Sequence, residues 1–261
     1  MERREFLRAS AALLMAMHVE ANARATDQQN SIAARPRGPR IRAIRLKTHV
    51  LAEVRAFYHE KFGFPILEES RDSVAFAAGA TRLQFDAVRD GSRPFYHFAF
   101  NIPENKLEKA RPWLAERVPI LRHARSGNEV IHFEAWNAHS LFFNDPAGNL
   151  GELIARHTLP NAAPGEFAFG DILYASEIGM VPPDQPAFFA ELRDRLQIPV
   201  YLNSSSFLGD EYGILIAIPK SVRWIPAYTQ SGEMFPTHVT VAGHGQRHLS
   251  FGDLPFEIVG A

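Results

Sequence analysis

Along the chain, apolar residues fall into short runs that alternate with polar ones, broken by stretches where they recur every three to four positions. The alternation predicts strands, and the wider period predicts helices over 53–61, 104–117 and 186–196. Each helix leads into the same corner, an apolar residue, Pro, a β-branched residue and an apolar or aromatic one: Phe64-Pro-Ile-Leu67, Val118-Pro-Ile-Leu121 and Ile198-Pro-Val-Tyr201. From Pro65 back to Ala43, from Pro119 back to His97 and from Pro199 back to Glu177 the interval is 22 residues, and each step lands within the preceding strand. Equal spacing argues for one unit used three times. The second unit is the plainest. Val130-Ile-His-Phe-Glu134 and Ser140-Leu-Phe-Phe143 read as strands, Asp145-Pro-Ala-Gly148 as a turn and Leu150-Gly-Glu-Leu-Ile154 as a further strand, in the order βαβββ.

Phe57-Tyr58 with Lys61-Phe-Gly-Phe64, then Tyr96-His-Phe-Ala-Phe100, and Phe142-Phe-Asn-Asp-Pro-Ala-Gly-Asn-Leu-Gly-Glu-Leu-Ile154 together resemble the vicinal oxygen chelate superfamily. That group includes glyoxalase I, extradiol dioxygenases, fosfomycin-resistance enzymes and bleomycin-binding proteins. The likeness covers residues 41–156 well and 172–242 more loosely. It implies an α+β fold of repeated βαβββ modules, two paired into a cupped sheet over a divalent metal; the third, unpaired module departs from that pattern. Such a module would close its sheet across a twofold axis in a homodimer.

The resemblance also implies metal ligands on the first and last strands of each module. In this sequence those positions fall on Ala43, Gln84, His97 and Glu152. His97 offers a ring nitrogen and Glu152 a carboxylate, a mixture suited to Zn, Fe, Ni or Mn, while Gln84 offers an amide oxygen as a weak ligand or substrate contact and Ala43 offers nothing. Glu152 can alternatively serve as a catalytic base. His49 lies where the strand turns into the helix and is not counted. His132, Glu134 and His139 fall on middle strands, with His139 a candidate lining residue. Trp136 and Asn137 read as a loop at the mouth, and Trp224-Ile-Pro226 and Phe235-Pro236 as covering loops. By the family's geometry Glu177 and His238, near the third unit's last strand, could form half of another site, but without a partner module Glu177 reads as a solvated or salt-bridged remnant, and the glycine-rich Gly243-His-Gly-Gln-Arg-His248 as a flexible end.

Composition narrows the function further. The 261 residues are 46% hydrophobic with 20 Phe, enough for a sizeable core. The net charge of −1 gives no global field for nucleic acid or an anionic membrane. With no Cys, any metal must be held by His, carboxylate or amide oxygen. No phosphate loop, Gly-x-Ser-x-Gly elbow or His-Glu-x-x-His helix is present.

The start of the chain, Met1-Glu-Arg-Arg-Glu-Phe-Leu-Arg8, resembles a twin-arginine export signal. The apolar stretch 11–17 that follows is too short for a stable membrane anchor, and small residues at 21–25 suit a signal peptidase. The expected layout is therefore an export signal over 1–25, a flexible linker over 26–40, a paired glyoxalase-like domain over 41–158, a third module over 170–243 and a tail over 244–261. The expected protein is exported to the periplasm or beyond and binds a small molecule in its cup. Two functions compete: a metal-dependent lyase or dioxygenase, with a metal ion acting as Lewis acid, and a metal-free binding protein of the bleomycin-resistance type.

Overall fold

The computed structural model describes residues 38–243 and 247–260. The segments expected as export signal (1–25) and linker (26–40) lie outside them, except for residues 38–40. At the linker's end, Gly38 N–H donates to Asp210 Oδ2 at 2.8 Å and Arg40 begins the first strand, so these residues are docked.

The first unit is β1 (Arg40–Thr48), α1 (Leu51–Arg55, continued by a π-helical turn over Ala56–Lys61), β2 (Ile66–Glu69), β3 (Ser73–Ala78) and β4 (Thr81–Ala87). The second is β5 (His97–Ile102), α2 (Leu107–Ala115), β6 (Ile131–Phe133), β7 (Ala138–Asn144) and β8 (Leu150–Arg156). The third is β9 (Tyr174–Met180), α3 (Gln185–Leu196), β10 (Phe207–Asp210) and β11 (Gly213–Ala217); after its Pro199 corner a single bridge, Val200 to Leu208, stands in for a strand. Helix α3 starts where sequence chemistry places it, with the Asp184 carboxylate accepting from Ala187 N–H at 3.1 Å.

Residues 247–260, expected as tail, instead form β13 (Arg247–Phe251) and β14 (Leu254–Gly260), which with β12 (Thr237–Ala242) make a fourth unit lacking the helix and the Pro corner. In every unit the last strand runs parallel to the first: β4 to β1, β8 to β5, β11 to β9 and β14 to β12.

Two seven-stranded curled sheets result. The first has the order β13-β14-β12-β1-β4-β3-β2 and the second β10-β11-β9-β5-β8-β7-β6. The α+β class of repeated βαβββ units stands, but the pairing differs from expectation. Unit one joins unit four through antiparallel β1 and β12, and unit two joins unit three through antiparallel β5 and β9. The third unit is thus partnered within the chain, which removes the reason for seeking its partner in a second copy.

One core unites the sheets and helices. Ile44, Leu46, Leu83 and Phe85 from the first sheet share it with Phe98, Phe100 and Leu153 from the second, and Tyr58, Phe62, Leu114 and Phe188 come from the helices. Each such side chain stabilises the fold by roughly 1.5–3 kcal/mol. Strand alternation then turns Ala43, Arg45 and Gln84 of the first sheet, and His97, Ala99 and Glu152 of the second, to the faces away from this core. Among the described residues, no helix is long and apolar enough to cross a membrane.

Candidate metal centre

The β7–β8 turn fixes the register that builds the site. Asp145 accepts hydrogen bonds from Ala147 N–H, Asn149 N–H, the Asn149 side chain and the Tyr58 hydroxyl, at 2.7–2.9 Å. The Asn149 side-chain Oδ1 in turn accepts from Tyr96 N–H at 2.8 Å, and Leu150 N–H donates to the Tyr96 backbone carbonyl. This network locks β8 alongside β5, pairing Ala99 with Glu152, so Glu152 and His97 share one face two residues apart along the strand direction. Across the antiparallel seam, Ala99 also pairs with Glu177.

The three side chains converge. His97 Nε2 lies 3.6 Å from Glu152 Oε2 and 3.9 Å from Glu177 Oε2, and one ligand atom from each residue fits within a 4.8 Å cluster. All three residues are at most 5% exposed. His97 Nδ1 is 3.1 Å from the Leu150 carbonyl. Donation there leaves Nε2 of the neutral ring with its lone pair towards the carboxylates.

Burial, and next the charge of Glu177, push the Glu152 carboxyl up to about 7. Burial alone would lower His97, but the neighbouring Glu177 and Glu152 carboxylates outweigh that and raise it. Glu152 Oε1 has no hydrogen-bond partner.

Beneath Glu177 lies Arg156, fully buried, paired through Nη2 with Glu177 Oε1 and through Nε with Asn101 Oδ1 at 3.3 Å. Its guanidinium sits 5.3 Å from the Trp136 ring. Above the floor opens a cavity of about 360 Å³, walled by Phe133, Trp136, Phe142, Phe207, Ile216 and Trp224. Trp224 stands 4.9 Å from the His97 ring.

Of the residues singled out in the sequence, His97, Glu152 and Trp136 meet at this cavity. Gln84 does not, because it belongs to the other sheet, where its amide donates to Asp86 at 2.8 Å and accepts from Arg82 at 3.2 Å. His139 points away from the cup, stacked on His132 with ring centres 4.3 Å apart and bonded to His157 at 2.8 Å. Glu177, read as an unpartnered remnant, is the third member of the cluster, since unit three borders unit two. The interval back from Pro199 located it, but nothing in the sequence located its neighbour. Arg156 carried no signal beyond its parity with Glu152 on β8.

Register shows why one sheet has this centre and the other lacks it. The equivalent positions are His97, Glu152, Glu177 and Ile216 in the second sheet, and Ala43, Gln84, His238 and Val259 in the first. Three acidic or imidazole donors survive in one, a single imidazole in the other.

No protein family matches this sequence, and no curated protein is similar to it. Among solved structures, a putative dioxygenase from Bacillus subtilis aligns over 87% of this chain and 86% of its own, at 15% identity and a TM-score of 0.55. A glyoxalase I mutant from Zea mays aligns over 85% of this chain and 92% of its own, at 13% identity and a TM-score of 0.48. A lactoylglutathione lyase from Agrobacterium tumefaciens aligns over 43% of this chain and 90% of its own, at 20% identity and a TM-score of 0.34. The likeness to the Bacillus protein is one of fold.

Proposed function

We propose that this chain, with a fold of the glyoxalase and dioxygenase type, is a divalent-metal-dependent enzyme of the lyase or dioxygenase class. Its substrate would be a small, largely apolar molecule carrying adjacent oxygens. One observation carries the reading: a buried His97, Glu152 and Glu177 cluster at the floor of an otherwise apolar cavity. The donor set fits a metal. Its atoms are close enough to share one ion, His97 Nε2 faces the two carboxylates, and Glu152 Oε1 is left without a hydrogen bond among the described residues.

One imidazole and two carboxylates suit Zn, Fe, Ni or Mn, and a divalent ion held there would supply Lewis acidity to neighbouring substrate oxygens. The remaining work belongs to the chain. Arg156 occupies one oxygen of Glu177 and leaves the other towards His97. Phe133, Phe142 and Trp136 shape an apolar slot, and Trp224 shields His97 from water. Glu152 would hold the ion as a carboxylate or, shifted off it, serve as the base that takes a proton from substrate.

Metal analysis of tag-free protein tests this. Wild type is expected to hold an ion in the cup that the His97→Ala, Glu152→Ala double variant loses, with Glu177→Gln weakened at least tenfold; equal metal content in all three would refute the metal centre. The ion pair between Glu177 and Arg156, which offsets one carboxylate without any metal, favours the second reading, a metal-free ligand-binding protein of the bleomycin-resistance type. Export by the twin-arginine route is part of the proposal and rests on residues 1–25. Replacing Arg3 and Arg4 by Lys is expected to retain the protein in the cytoplasm, and unchanged delivery would remove this part.

A further inference from the structure

The outward face of the first sheet takes no part in that function, yet it gathers donors of its own. At the positions equivalent to the metal centre, Ala43 and Val259 offer no ligand and the Gln84 amide is engaged by Arg82 and Asp86. The fourth equivalent position does offer a ligand, and it has company on the neighbouring strands. His238 on β12 is the ladder partner of Glu257 on β14, and His248 on β13 pairs with Val259, which alternation places on the same face as Glu257. The two rings flank one carboxylate, His238 Nδ1 against Oε2 and His248 Nε2 against Oε1.

We propose that His238, His248 and Glu257 form a second divalent-metal site, separate from the cup of the second sheet and selective for borderline transition ions such as Zn(II), Ni(II) or Cu(II). Two imidazoles and a carboxylate are a donor set those ions prefer, whereas Mg and Ca favour oxygen alone. Three neighbouring hydrogen-bonded strands hold the backbones in place. The side chains are 40%, 63% and 29% exposed in the order His238, His248, Glu257, which leaves a path for the ion and room for water in its remaining positions. As they stand the two rings face different oxygens of the carboxylate, so one shared ion requires the more exposed His248 to turn about its side-chain bonds. Arg45, the cross-strand neighbour of His238, does not oppose the ion strongly because its guanidinium is turned to Asp86 at 2.6 Å.

Calorimetric titration of the full, tag-free chain with zinc chloride alone tests the site. Wild type is expected to take up one more ion than the His238→Ala, His248→Ala variant, and Glu257→Gln is expected to weaken that ion at least tenfold. The same titration of the His97→Ala, Glu152→Ala variant separates the two proposals: loss of an ion only there refutes the second site, and loss only in the His238 and His248 variant upholds it while the cup reading fails. Should the alanine variants unfold, copper(II) paramagnetic resonance on wild type and on a His248→Gln protein decides. Two-imidazole coupling that wild type shows and His248→Gln loses supports the site, and a spectrum unchanged by His248→Gln overturns it.

Discussion

A Cβ at Gly179 would lie 2.7 Å from Cη2 of Trp224, so the indole rests on His97 because position 179 has no side chain. Gly179→Ala is therefore expected to push the indole off the ring while the strand itself persists. The clash falls on the far end of a side chain in a long connection, so overpacking should cost about 1–3 kcal/mol. Tryptophan emission should move to longer wavelength as the indole meets water, with a matching fall in the urea midpoint. An unchanged spectrum and midpoint would show that Trp224 does not depend on this gap. The residue scale also explains a missed member of the cluster. Glu177 is an acidic residue in the middle of a strand, and such a residue is usually paired or solvated. Its meaning lies in the two side chains facing it from β5 and β8.

Among the elements, β1 and β4 are joined by charge as well as by their parallel ladder. The Asp86 carboxylate accepts from Arg45 at 2.6 Å, Lys47 at 3.2 Å and Gln84 at 2.8 Å. Burial would raise its pKa, but hydrogen bonds from Gln84, Arg45 and Lys47 outweigh that and hold it below 3.8. A depressed native pKa contributes stability at pH values above 3.8, and the contribution is lost as pH falls through the native value. Asp86→Asn should therefore be less stable than wild type at pH 7, by about 1–3 kcal/mol for the lost charged hydrogen bonds. Urea denaturation at pH 7 and pH 3 should show this gap narrowing in acid; a gap of the same size at both would deny Asp86 the role. The strand pattern announced β1 and β4 clearly. It did not announce this link, because Arg45, Lys47 and Asp86 read as ordinary solvent-facing charges until the register sets them side by side.

For the molecule as a whole, the last two strands are the sharpest test of the architecture. Leu249, Phe251, Phe256 and Ile258 are buried, and the Phe188 ring of α3 packs 4.8 Å from Phe251 and 5.2 Å from Phe256. Ending the chain at residue 243 would remove four core side chains worth roughly 1.5–3 kcal/mol each, comparable to the whole stability of a domain. The truncated protein is expected to lose its cooperative thermal transition by circular dichroism, whereas a true tail would be removed with the transition unchanged. The sequence by itself determined the local units: alternation set the strands and their inward faces, the wider period set the helices, and the spacing from Pro119 and Pro199 picked out His97 and Glu177 before any contact was known. Only the tertiary structure decided which unit borders which. Edge strands pair through backbone hydrogen bonds that every residue except Pro can make, so the side-chain pattern does not name a strand's neighbour. That choice put Glu177 beside His97 and Glu152 as the third donor of the buried cluster and left Gln84 on the other sheet.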